Sequence, residues 1–381
     1  MDELTRTRRR RVLRAGGLLG TAALAGCTNM LGNEETDGPV TLSDFQGSGP
    51  LTSGRPAPQG TSMDELPDLE GTLTVYIGGG EGGHYRDLVE LLEAKYDGFD
   101  ARVRSAPSVQ QANTIVEEME GSSSPADVFW SIDAGSLGTV ADAGYALELP
   151  DEVLDTVPST LRDQDGRWVG VAGRARSIPY NTDRYTAADL PDSVQAYATD
   201  SRFQNALGWA PTYGAFKSFV AAMLLVSGKQ QTRSWLQGVK DSGVTAYPNE
   251  YVVSSETADG EIGAGFANHY YALRVKESRP DAPIDLAFTS GDAGALINVA
   301  GTEIIQGTDA EELAGQFIRH LLTAEAQEFF ATRTFAYPMI SGVQPVAGLP
   351  TIDELEPPEI DLTKLSDLEP ALNLMREVGV L

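Results

Sequence analysis

The chain has 381 residues, 55 of them acidic and 28 basic, a formal net charge of −27 and a single cysteine, Cys27. That balance makes nucleic acid and anionic lipid surfaces poor partners, and one cysteine leaves no disulfide, thiolate metal cluster or interior cysteine nucleophile. About 310 residues follow Gly71, more than the ~250 to 300 that one core usually holds, so two lobes are expected.

Arg9-Arg10-Arg11-Val12-Leu13 has a twin-arginine arrangement, followed by an apolar stretch from Ala15 to Ala25 and by Leu24-Ala25-Gly26-Cys27. The stretch is shorter than the ~20 apolar residues of a membrane span. Residues 1–26 therefore read as a twin-arginine signal peptide with a lipobox, and Cys27 as the lipidation site, its two acyl chains supplying a stable anchor. Residues 27–70, rich in Gly, Ser, Thr, Pro and Asp, read as a flexible acidic linker. The first 26 residues hold six Arg with Asp2 and Glu3, so their removal leaves about 53 acidic against 22 basic residues. Such a surface stays hydrated in molar salt, where a Debye length of roughly 3 Å screens its self-repulsion; a haloarchaeal origin is the expectation.

From Gly71 the pattern alternates strand and helix. Strands are expected at Thr72 to Ile77, Ala101 to Arg104 and Ala126 to Trp130, and helices at Asp87 to Lys95, Gln110 to Glu120 and Leu137 to Ala143. A second series follows Arg176-Ser177-Ile178-Pro179-Tyr180. It has strands at Leu207 to Ala210, Ile262 to Phe266 and Ala295 to Val299, and helices at Phe216 to Val226, Glu311 to Leu322 and Ala324 to Ala331. This is an α/β chain with mostly parallel pairing.

Five segments in register carry a family resemblance: Ser124 to Trp130, Gly173 to Arg176, Ala210 to Phe216, Asn268 to Tyr271 and Asp292 to Leu296. Over roughly Leu73 to Val343 the chain resembles the ferric-binding proteins that feed ABC importers, the iron-binding branch of the two-lobed periplasmic binding proteins. The resemblance implies a type II two-lobed fold, each lobe a mixed, mostly parallel sheet flanked by helices, with a two-segment hinge. Residues 71–176 and 298–349 would form the N-terminal lobe, and 177–297 and 350–381 the C-terminal lobe. It further implies Fe3+ as cargo with carbonate or another synergistic anion, and delivery by a monomer to a permease and its ATPase.

Ferric iron is small and highly charged and prefers anionic oxygen, which a tyrosine supplies once a cation displaces its proton. Adjacent tyrosines point to opposite faces of a regular strand, so Tyr270 and Tyr271 can share an ion only where the chain turns, and the end of the expected strand Ile262 to Phe266 offers that place. The resemblance gives both an iron-binding role. It gives a like role to His84 and Tyr85 after the first strand, although Gly78-Gly79-Gly80-Glu81-Gly82-Gly83 lengthens that loop. Where another branch of the family has a glutamate ligand, this chain has Ile132, and neighbouring Asp133 is a poor substitute. Thr212, Tyr213 and Gly214 open a helix, whose free N–H groups suit an anion; Tyr213 could instead be a third phenolate. Arg174 could neutralise the anion, and by the resemblance Asn268 matches an amide that binds the anion in the family. Glu250, beside Asn249, stands where a second such amide is expected. His269 and His320 read as structural.

Two other classes fit less well. Gly78-x-Gly80-x-x-Gly83 resembles a dinucleotide loop, but Asp97 and Asp100 precede the second strand, where no ribose contact belongs. No Gly-x-Ser-x-Gly elbow is present for a hydrolase. The two-lobed fold also serves oxyanion, phosphonate, thiamine and polyamine binders, and the tyrosine pair tips the choice to iron.

Overall fold

The computed structural model describes residues 39–79 and 83–381. The twin-arginine stretch, the lipobox with Cys27, the first part of the expected linker and the Gly80-Glu81-Gly82 loop lie outside the described residues. The unit Val40–Leu381 opens with an arm carrying the one-turn helix α1 (Leu42–Phe45). The chain then alternates β1 (Gly71–Gly78), α2 (His84–Lys95), β2 (Phe99–Ala106), α3 (Ser108–Gly121), β3 (Val128–Ser131), α4 (Ala134–Asp142) and the short α5 (Asp151–Leu154). Each of the first three expected strands and helices is therefore present, all lengthened by a few residues except β3, which is shorter and begins two residues later. Strand β1 pairs in parallel with β2 and β3. Leu73 and Val75 to Gly78 of β1 are buried, as befits a strand covered on both faces.

Strand β4 (Val169–Asn181) is not among the expected strands. Its thirteen residues are buried except Arg174, so it shows no period-two alternation, and Gly170, Gly173 and Pro179 interrupt its apolar run. Gly173 is needed for close packing, since a Cβ there would lie 2.7 Å from Met339 Cε.

The remaining elements are β5 (Leu207–Trp209), α6 (Gly214–Asp241), β6 (Thr245–Ala246), α7 (Glu250–Ala258), β7 (Ala264–Gly265), β8 (Ala267–Asn268), α8 (His269–Ser278), β9 (Ile284–Ala287), β10 (Ile297–Ile304), α9 (Glu311–Leu321), α10 (Ala324–Phe329), α11 (Ile352–Leu355) and α12 (Glu369–Val378). Helix α6 is broken at Gly228, whose φ is 75°. Helix α9 buries Ala314, Phe317, Ile318 and Leu321 at helical spacing.

Strand order is β2-β1-β3-β10-β4-β7-β5-β6. β10 runs antiparallel to both β3 and β4, so the sheet is mixed. β4 belongs to both halves: Val169 to Ala175 pair with β10, Arg176 and Ser177 with β8, and Ile178 to Asn181 with β9. The two halves of the sheet thus meet along one continuous strand, β4, as the expected two-lobed fold requires. Among the described residues no helix is long and apolar enough to cross a membrane.

Two expected boundaries need correction. Residues 40–70 are not a free linker along their length: Phe45, Met63 and Leu69 are buried, and Arg55 forms a 2.8 Å ion pair with Glu328, almost fully enclosed. Burying such apolar side chains stabilises by ~1.5 to 3 kcal/mol each, which the arm's polar composition conceals. The tail after residue 350 is not confined to one half either. Helix α12 lies on α6, with Lys240 Nζ donating to the Val378 carbonyl at 2.8 Å. The preceding turn Leu362–Ser366 instead seats on α4, where a Cβ on Gly135 or Gly138 would come within 2.6 Å of Ser366 or Thr363.

Candidate metal and anion cleft

The cleft forms where the carboxyl end of β5 and the end of β8 turn into helices. Tyr213 is the N-cap of α6 with an extended backbone, its N–H bonded to the Ala210 carbonyl at 3.0 Å. No side chain caps the helix, so its first-turn N–H groups are open to a ligand. Asn268 is the N-cap of α8, which places Tyr270 and Tyr271 in that helix's first turn. The expected strand shrinks to Ala264–Gly265 and Ala267–Asn268, and the convergence comes from a helix start rather than a loop.

Three phenols meet there. The Tyr213 and Tyr271 hydroxyls are 2.5 Å apart, and the Tyr270 and Tyr271 rings lie 4.3 Å apart between centroids. Asn268 Nδ2 donates to the Tyr270 hydroxyl at 3.4 Å, and the Arg274 guanidinium stands 5.0 Å from the Tyr270 ring centroid. Tyr270 and Tyr271 are both buried, against Leu273, Phe335 and Val346. Burial first, then the neighbouring Tyr270 and Tyr213, push the Tyr271 phenol far above its ordinary pKa. Tyr271 therefore holds its proton until a highly charged cation displaces it. Among the described residues no group of three or more His, Cys, Asp or Glu side chains could hold a metal.

The adjoining cleft has a volume of about 560 Å³, and Tyr213, Gly214, Asn268, Tyr270, Arg174 and Arg176 are among the residues that line it. Arg174 donates to the Ile132 carbonyl. Asp133 also lines the cleft but is tied up as the N-cap of α4, accepting from Ser136 N at 2.8 Å. Thr212 is exposed and is not among the lining residues. Arg176 was missed as a site residue, although it stands two positions from Arg174 and so shares its strand face. Its Nη1 donates to Glu250 Oε1 at 2.6 Å and to Asn268 Oδ1 at 3.1 Å, whereas its buried Nη2 has no hydrogen-bond partner. Glu250 also accepts from Asn268 N at 2.9 Å. It is thus the counter-ion of Arg176.

The pair His84 and Tyr85 is not brought to this cluster. Both begin helix α2 instead of lying in a loop. The Tyr85 ring turns into the core and stacks on Trp130 at 4.5 Å, and His84 faces outward, 3.1 Å from Asp87. A helical step of about 100° per residue sends the two in different directions. His269 is fully buried, its Nε2 donating to the Phe335 carbonyl at 2.6 Å and its Nδ1 accepting from Ala175 N at 3.2 Å. Burial lowers its pKa to about 4, so it is a neutral clamp beside the tyrosines. His320 is likewise buried, bonded to Tyr96. A larger cavity of about 1140 Å³ lies elsewhere, among Asp151, Asp155, Asp163 and Asp361; no tyrosine lines it.

Residues 87–355 match the model of a bacterial extracellular solute-binding protein family. The chain belongs to that family. It is 31% identical over 319 residues to the major ferric iron-binding protein of Neisseria meningitidis, covering 81% of this chain and 93% of that one. Iron uptake protein A2 of Synechocystis is 29% identical, with 75% and 86% covered. The solved structure of iron-bound HitA from Pseudomonas aeruginosa superposes with a TM-score of 0.70 at 29% identity, covering 81% of this chain and 99% of that one.

Proposed function

We propose that this solute-binding protein carries ferric iron, held by Tyr213, Tyr270 and Tyr271, with a small synergistic anion such as carbonate beside it. The observation that carries the reading is the convergence of three phenol groups at two helix N-termini, with the Tyr213 and Tyr271 hydroxyls at 2.5 Å. Three phenolates neutralise Fe3+, and their hard oxygens suit it. The anion would sit on the open first turn of α6, where the unpaired Arg176 Nη2 supplies a buried donor. The protein would bind and release without chemistry, delivering its cargo to an ABC permease and its ATPase as a monomer. Ferric citrate titrated into the protein should raise a visible phenolate-to-iron band. Closure about β4 and β10, with residues 71–176 and 298–349 moving against 177–297, should shrink the radius of gyration in the same titration. A colourless protein would end the iron reading.

Export and anchoring belong to the same proposal, on the strength of Arg9-Arg10-Arg11 and the Leu24-Ala25-Gly26-Cys27 site. Cys27 would be acylated and would hold the protein on the outer face of the cytoplasmic membrane. Cys27→Ser should leave the protein unprocessed or shed it into the medium, as read by fractionation; full membrane retention would refute the anchor.

A further inference from the structure

The arm that precedes β1 reaches the tyrosine cluster by two routes. Directly, Leu51 packs against the apolar cluster formed by Tyr270, Tyr271, Leu273, Phe335 and Val346. Gly49, at φ 142°, lies so close to α8 that a Cβ there would stand 1.8 Å from Glu277 Oε1. Indirectly, the arm grips the π-helical turn Phe330–Thr334: Gly47 N donates to Thr332 Oγ1 at 2.8 Å, and Arg333 Nε donates to the Phe45 carbonyl at 3.1 Å. That turn ends at Phe335, whose φ of 59° is uncommon for a residue with a side chain and must be held by its surroundings. Phe335 in turn packs on the tyrosines and takes the hydrogen bond of His269 through its carbonyl.

We propose that the arm is a positioning element of the metal site, fixing the first turn of α8 at the spacing that lets Tyr270 and Tyr271 share one ion. This rests on the tyrosine reading of the site above. The arm precedes the region that matches the family model, residues 87–355, so part of the support of the site comes from outside the matched body. A ligand whose backing is loose loses affinity even when every donor is present, and supports of metal ligands are typically worth 10- to 100-fold.

Two substitutions in the full-length chain test this. Leu51→Ala removes the direct contact. Gly47→Ala lifts the arm without touching a tyrosine, because its Cβ would lie 2.4 Å from the Thr332 carbonyl oxygen. Each should weaken ferric iron binding by about tenfold, shift the phenolate band, and speed hydrogen exchange at the α8 amides of the iron-free protein, while circular dichroism stays native. A lower Tm with unchanged affinity, band and α8 exchange would show the arm to be mere cover and overturn the proposal. If Gly47→Ala does not fold, Leu51→Ala alone decides. If the unsubstituted protein takes up no iron, the iron reading fails, and the exchange measurement still decides whether the arm fixes α8.

Discussion

Tyr270→Phe and Tyr271→Phe should each cut ferric iron affinity by roughly 10²- to 10³-fold, about a quarter of the ~10 to 16 kcal/mol that a four-coordinate structural zinc site supplies. Each change deletes an anionic donor and keeps the ring, so the packing against Leu273, Phe335 and Val346 survives. Fold should persist, and the visible band should weaken with each variant and vanish in the double one. Tyr213→Phe discriminates further. Its hydroxyl touches that of Tyr271, so a three-phenolate site predicts a loss of the same size, whereas a site using only the α8 pair predicts almost none. Acid should release the metal, because each phenol is a proton competitor and burial raises the proton affinity of Tyr271. Full-strength iron binding by the double Tyr270→Phe, Tyr271→Phe variant, measured by competition with citrate, would leave a two-lobed binder of another solute.

Much of the architecture was readable because parallel strands buried on both faces stand out as short apolar runs between amphipathic helices, as at Val75 to Gly78 and Val128 to Ser131. Strand β4 escaped because Gly170, Gly173, Arg174, Arg176 and Pro179 suppress both hydrophobicity and alternation. The arm escaped for the opposite reason: its few apolar anchors, Phe45, Met63 and Leu69, are spread through Gly- and Pro-rich sequence with no period. The tyrosine pair was singled out by adjacency and resemblance. That Asn268 caps a helix was hidden, since Asn268-His269-Tyr270-Tyr271 carries no helical pattern by itself. His84 and Tyr85 misled because a glycine-rich run precedes them, and the helix starts at His84 itself. Arg176 could have been found from its i, i+2 relation to Arg174, whereas its pairing with Glu250, 74 positions away, could not.

Breaking that pair should have the largest effect on stability of any single change near the cleft. Arg176 and Glu250 are 2.6 Å apart with side chains 4% and 0% exposed, and Arg176 also stands 4.9 Å from the Phe219 ring centroid. Removing one partner of a buried pair leaves the other charge uncompensated, which costs about 3 to 5 kcal/mol. Glu250→Ala should therefore lower the urea midpoint by that equivalent, since it also strips Asn268 N of its acceptor. Glu250→Gln retains an acceptor for that N–H and should cost less. The two properties part company at this position. With Glu250 neutralised, Arg176 presents an unbalanced positive charge to the cleft, so Glu250→Gln should strengthen the dependence of iron binding on carbonate even as it weakens the fold. Replacing both, Arg176→Met with Glu250→Leu, should recover much of the stability, since apolar residues of like volume often match a buried ion pair. The same double variant should weaken the anion dependence, because it removes Arg176, which lines the cleft and carries a buried nitrogen without a hydrogen-bond partner, while the first-turn N–H groups of α6 remain. A Glu250→Ala protein within about 1 kcal/mol of the unsubstituted one would mean that water reaches the pair, and the anion site would then have to be sought elsewhere.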